Sequence, residues 1–189
     1  MKTALQEAFN FENRVMFNVK ALPGRFHANR ELCKTLIALL FWMGFLLSIA
    51  YNKWFIEVVV DRLALALSGL IGAVLELAGN EIIRVGTIIK SNGFSMNIYY
   101  KCTGVYQTAG FVAGVLAYPT AFRAKVVGVV WGSLVIGFIN VFRLVSIFYI
   151  GLYIPEWVAF SHSVIWEALM ILSTILVWRL WARRANAEH

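Results

Sequence analysis

Three side chains in this sequence have the types and the placement for acyl-transfer chemistry: Cys102, Arg143 and His162. Cys102 sits in "YYKCTGVYQ" (Tyr99 to Gln107), where polar, strand-like sequence gives way to a long apolar run. Arg143 lies inside the apolar stretch "KVVGVVWGSLVIGFINVFRLVSIFYIGLYI", with Asn140 three residues before it and so on the same helix face. A permanently charged arginine within such a span is expensive and marks a functional site by default. His162 follows in the first turns of the next apolar segment, "WVAFSHSVIWEALM". A thiolate is a strong nucleophile. An imidazole can take the thiol proton and later return it to a leaving amine. A guanidinium can stabilise an oxyanion or hold a carbonyl or carboxylate. Together they suit transfer of an acyl group from a peptide bond through a thioester.

The elements that must bring these residues together are membrane helices. The turn between the last two apolar segments centres near residue 153, and positions equidistant from it in an antiparallel pair lie at similar depth. Arg143 is about ten residues before that centre and His162 about nine after it, so at about 1.5 Å per residue both lie some 14 Å from the turn. Cys102 opens its own apolar segment from the same side. Placed at a helix N-terminus, it is expected to feel the positive end of the helix dipole, which favours thiolate.

Composition supports this frame. Of 189 residues, 60% are hydrophobic, and the mean hydropathy is +0.72, too apolar for a soluble domain. Apolar segments are expected at about 35–53, 58–79, 103–118, 126–150 and 157–178. The second carries Asp61 and Arg62 at one end and Glu76 near the other, which leaves Leu63 to Leu75 free of charge, a short stretch for an unassisted span. Between it and Cys102, Asn92-Gly93 signals a hairpin. After it Phe94, Met96, Ile98 and Tyr100 alternate with Ser95, Asn97, Tyr99 and Lys101. The expected fold is therefore an all-α polytopic membrane protein, a bundle of four or five membrane helices with a small extracytoplasmic β-hairpin before the cysteine. It is expected as one domain over 1–189, with 1–31 a basic cytoplasmic or interfacial arm in which Leu5, Phe9, Val15, Met16 and Phe17 can line one side of a helix.

The net charge of +7 follows the ends of the apolar segments, which points to an anionic leaflet and not to nucleic acid. Arg123 and Lys125, and the C-terminal Arg179, Arg183 and Arg184, belong on the cytoplasmic side, which puts residues 151–156 and Cys102 outside. A basic N-terminal arm inside then requires 58–79 to stay on the outer side as a re-entrant or interfacial helix. If it crosses, the N-terminus lies outside. No secretory signal peptide is expected. Cys33 and Cys102 fall at opposite faces and are not expected to pair. Two cysteines and three histidines, none at ligand spacing, imply no metal and no cofactor.

Each candidate has a plainer alternative. A lone cysteine in a membrane helix is often a small packing residue. His162 can serve as an interhelical donor, and Asn140 as helix glue or a support for Arg143. Arg143 can pair with Glu167, slightly deeper on the next helix, in which case the chain suits a non-catalytic membrane transport or assembly subunit with a buried Arg143–Glu167 pair.

"CTG" after a hairpin, then "NVFRLVSIFYIG", then "FSH" before an apolar helix with Trp166, resembles the exosortase/archaeosortase family of membrane cysteine proteases and transpeptidases, over roughly residues 58–181. The short length looks most like the compact exosortase H subgroup. The resemblance implies Cys102 as nucleophile, with Arg143 and His162 as its catalytic partners and Asn140 and Glu167 in support. Thr103 stands where the motif often has serine, which keeps the hydroxyl. The implied substrates are secreted proteins with a C-terminal motif, a hydrophobic helix and a basic cluster, cut and passed to an acceptor at the outer face of a prokaryotic cytoplasmic membrane.

Overall fold

The structure, a computed structural model, describes residues 30–91 and 93–187. The expected arm 1–31 falls outside the described residues except for Arg30 and Glu31. The chain divides into two compact units, Met1–Ala38 and Leu39–His189. In the first, residues 30–38 are helical, and Lys34 Nζ meets Glu31 Oε1 at 2.6 Å. All contacts described below lie within the second.

Among the described residues there are five helical elements: α1 (Arg30–Ala50), α2 (Lys53–Leu77), α3 (Val105–Ala117), α4 (Phe122–Tyr153) and α5 (Pro155–Asn186). Four are long and apolar enough to cross a bilayer, and α3 is a shorter apolar helix. With its small sheet, the chain is an all-α polytopic membrane protein.

The expected weak span is not the short one. Asn52 caps α2, its Oδ1 accepting from the Trp54 N–H at 3.0 Å, and this starts the helix five residues before the expected segment. Asp61 and Arg62 are exposed on its surface, so neither charge interrupts the 25-residue helix. By contrast α3 has 13 residues, about 20 Å of rise, short of a hydrocarbon core of about 30 Å.

Helix α4 shows how one sequence serves two environments. Gly132, Ile136, Asn140, Arg143 and Ile147 recur every three or four residues and are buried. Leu134, Phe138 and Phe142 share another face and are exposed, as suits a helix that presents a lipid-facing stripe. Gly132 allows α3 to approach closely, since a Cβ there would overlap the buried Phe111 ring.

Between α2 and α3 the chain forms an antiparallel sheet of order β1-β2-β3: Ile83–Val85, Ile88–Ser91 and Phe94–Asn97. The expected hairpin is present, with Ser91 paired to Phe94 and Gly93 at φ 83°. The expectation of two strands is corrected to three, because Gly86 at φ 60° begins a second tight turn that pairs Val85 with Ile88. Ile89, Met96 and Ile98 turn inward and join Leu75, Leu144, Phe148 and Trp166 in one core cluster, which also contains Cys102. A second cluster, around Phe111, Ile136, Met170 and Trp181, fills another part of the α3–α4–α5 bundle.

Candidate active site

The path from β3 to α3 sets the position of Cys102. Tyr100–Cys102 form a single 3₁₀ turn, closed by the Cys102 N–H on the Tyr99 carbonyl at 2.8 Å. The Thr103 hydroxyl donates to the Tyr100 carbonyl at 2.7 Å. Gly104 then takes φ 76°, a left-handed conformation open to glycine, and α3 begins at Val105. A Cβ on Gly104 would stand 3.2 Å from Asn140 Cγ, so α4 crosses this turn at close range.

Asn140 exploits that approach. Its Nδ2 donates to the Cys102 carbonyl at 2.9 Å, and the side chain is 1% exposed. The sequence suggested helix glue or a support for Arg143, whereas the structure ties Asn140 to the main chain of the cysteine itself. One turn of α4 thus grips the Cys102 backbone and presents Arg143.

Cys102, Arg143 and His162 meet. Cys102 Sγ lies 3.6 Å from His162 Nε2, and Arg143 Nη2 lies 3.5 Å from the same nitrogen. A guanidinium only donates, so Arg143 can bond Nε2 only while that nitrogen carries no proton. A ring with Nε2 unprotonated accepts from Arg143 and is also the form that can receive the thiol proton. His162 stands in a π-helical turn of α5, Ser161–Ile165, a local widening often found at functional sites. Such a turn has no simple sequence signature.

Arg143 is 1% exposed, and among the described residues its Nε and Nη1 have no hydrogen-bond partner. Neither ion pair among the described residues involves it. Glu167 is exposed and accepts from Gln107 Nε2 at 3.4 Å. The buried Arg143–Glu167 pair considered from sequence is therefore corrected: the next helix carries the carboxylate away from the guanidinium.

The expected dipole activation of Cys102 is also corrected. The thiol lies in the turn before the Gly104 cap and is 4% exposed. Burial pushes its pKa above the ordinary thiol value, and a main-chain hydrogen bond at Tyr99 and the Arg143 charge pull it down by less. At neutral pH this direction keeps the thiol protonated, so nucleophilic chemistry at Cys102 would need a base beside it. Alkylation by iodoacetamide consumes thiolate, so its rate–pH profile for Cys102 in a Cys33→Ala background is expected to centre at higher pH than for a free cysteine. Arg143→Met removes a charge that favours thiolate and is expected to move the midpoint higher still. A midpoint below that of an ordinary thiol would contradict this assignment.

A pocket of about 280 Å³ opens beside the thiol, lined by β3, Tyr99, Cys102, Leu144 and the first turns of α5 with Val158, Ala159 and His162. Sequence reasoning did not identify these pocket residues, although the alternation along Phe94–Asn97 marked the strand. Cys33, the other cysteine, is exposed, and both thiols are free.

The family model described as transmembrane exosortase matches residues 25–179, a stretch that begins earlier than the resemblance seen in the motifs and takes in α1. No curated protein and no solved structure matches the chain.

Proposed function

The chain belongs to the transmembrane exosortase family, and from that premise we propose that it is a membrane-embedded cysteine transpeptidase with Cys102 as nucleophile, His162 as proton carrier and Arg143 as oxyanion donor. The observation that carries this reading is the fully buried Arg143, with two donor nitrogens unused among the described residues, beside a thiol–imidazole contact. Buried donors without partners are costly in a structure that gains nothing from them. A carbonyl oxygen that becomes an oxyanion supplies the missing acceptor.

In the proposed reaction, Nε2 takes the Sγ proton as Sγ bonds to the scissile carbonyl carbon. The carbonyl oxygen becomes an oxyanion that accepts from one of the unused Arg143 donors, Nε or Nη1. Collapse breaks the C–N bond, and the leaving amine takes the proton from His162. The acyl group is then a thioester on Cys102. An acceptor amine or hydroxyl attacks it, its proton passes to His162, the C–S bond breaks, and the sulfur recovers the proton. Asn140 holds the Cys102 carbonyl throughout and is a positioning residue, while Glu167 and Gln107 lie at the edge of the site.

The substrate class proposed is a secreted protein with a short C-terminal motif, an apolar helix and a basic tail, in a prokaryotic cytoplasmic membrane. Arg123, Lys125 and the arginines that end α5 mark the inner side by charge, so Cys102 faces outward and meets the motif where it leaves the lipid. The alternative, a non-catalytic subunit, loses its main support with the Arg143–Glu167 pair.

Co-expression with a secreted protein that carries such a tail tests the proposal. The product is expected to lack the helix and basic cluster and to have a C-terminal mass above that of the free acid, by the mass of the acceptor less water. A substrate that keeps its tail in cells with abundant enzyme would sink the proposal, and a free C-terminal acid would reduce it to hydrolysis.

A further inference from the structure

Strand β3 is the edge of its sheet and the wall of the catalytic pocket at once. The Ile98 N–H donates to the Thr87 carbonyl at 3.0 Å, which fixes the phase of the β2–β3 ladder. In an antiparallel pair, hydrogen-bonded and non-hydrogen-bonded positions alternate. Met96, opposite Ile89, and Phe94, opposite Ser91, therefore bond to β2, as Ile98 does. Ser95 and Asn97, opposite Lys90 and Ile88, turn their N–H and C=O groups away from it. Among the described residues, neither of these main chains takes a partner on that outer side. The side chains do not block the edge, because Ser95 and Asn97 point to the exposed face of the sheet while Met96 points inward.

Ser95 and Asn97 both line the pocket that also contains Cys102 and His162. Val158 and Ala159, at the start of α5, also line it. An exposed strand edge is a template for an extended peptide, with main-chain bonds supplying affinity. Two outward residues offer two N–H and two C=O groups, enough to fix about three or four residues of an added strand at about 3.3 Å per residue.

We propose that β3 is the substrate-docking strand: the segment of the secreted protein around the scissile bond pairs with Ser95 and Asn97 as a fourth strand, which delivers its carbonyl to Cys102. This rests on Cys102 being the nucleophile and adds where, and in what conformation, the substrate binds. Recognition is then largely of the main chain. Side-chain selection is confined to alternate positions that face the pocket.

The proposal can be tested without knowing the natural substrate. Acetyl-tetra-alanine chloromethyl ketone is an extended peptide with no side-chain information. Sγ attacks its terminal methylene, a C–S bond forms, chloride leaves, and the thiol proton passes through His162 to buffer. Labelling of Cys102 is followed by mass spectrometry in the full-length Cys33→Ala protein, against iodoacetamide as a probe too small to pair. Ser95→Pro removes an outward N–H while leaving the β2 ladder intact, as proline allows on an edge strand. It is expected to lower the ratio of peptide to iodoacetamide rates about tenfold, the scale of one or two lost hydrogen bonds. On the parent protein, N-methylation of successive peptide amides is expected to slow labelling at every second position. An unchanged ratio in Ser95→Pro with a normal iodoacetamide rate, or N-methyl effects without alternation, would overturn the docking strand and leave the nucleophile assignment standing. Failure of iodoacetamide to label folded Cys102 at any pH, with normal labelling after denaturation, would overturn both.

Discussion

Replacing Arg143 with methionine is expected to lower the rate of acyl transfer about 10²- to 10³-fold, the effect of losing an oxyanion donor, while leaving the protein at least as stable. The two halves of this expectation have one cause. Arg143 is fully buried, meets no carboxylate within ion-pair distance among the described residues, and leaves Nε and Nη1 without partners. Its charge is a burden on the folded state, and a well-packed apolar side chain of similar length is often neutral or stabilising at such sites. Arg143→Lys retains charge but loses the planar guanidinium that holds Nη2 on His162 while a second donor stays free for the oxyanion, so it is expected to recover little. Thermal unfolding in the same lipid or detergent, read beside turnover, checks both halves. A methionine variant with wild-type turnover would remove Arg143 from the reaction. A variant that fails to fold would show instead that the guanidinium holds the bundle together.

Cys102→Ala is expected to abolish processing altogether. The substitution removes one buried sulfur from a small residue, and the Asn140 bond to the residue-102 carbonyl does not involve the side chain. Its cost in stability is expected to be about 1 kcal/mol or less, in line with the loss of a small apolar group. No neighbouring group replaces the nucleophile: Ser161 is buried, but the thiol is the group in contact with His162 Nε2. Cys33→Ala, at an exposed position on α1, is expected to be near neutral. Expression level, membrane insertion and unfolding temperature establish that the alanine protein is intact before its inactivity is interpreted.

Much of this site was legible in the sequence because helices impose simple arithmetic. Equal distances from one turn placed Arg143 level with His162, and the two are now seen 3.5 Å apart at their nearest nitrogens. The hairpin was visible because Asn-Gly and strict alternation leave few other structures open. Strand β1 was missed for the opposite reason: Ile83, Arg84 and Val85 are all exposed and leave no alternating pattern. The start of α2 was missed because Asn52 was not read as a helix cap, and the span looked short because Asp61 and Arg62 were counted against it, whereas both project from a helix that simply continues. Burial was the hardest quantity to read. A cysteine just ahead of a helix suggested activation by the dipole, but tertiary packing encloses the thiol and reverses the net effect. The same limit applies to Arg143, whose isolation from Glu167 depends on which way α5 carries Trp166 and Glu167 after its π-helical turn. Residue spacing fixes depth along a helix well, and facing direction less well.

The central claim is that the acyl group passes through Cys102, and a trapped intermediate tests it most directly. Full-length protein in membranes, supplied with a substrate and quenched in acid before the acceptor turns it over, is digested and analysed by mass spectrometry. The account predicts a thioester on the peptide that contains Cys102, cleaved by neutral hydroxylamine and absent from Cys102→Ala. Substrate processing at full rate in Cys102→Ala, or an acyl adduct found on any other residue, would contradict it.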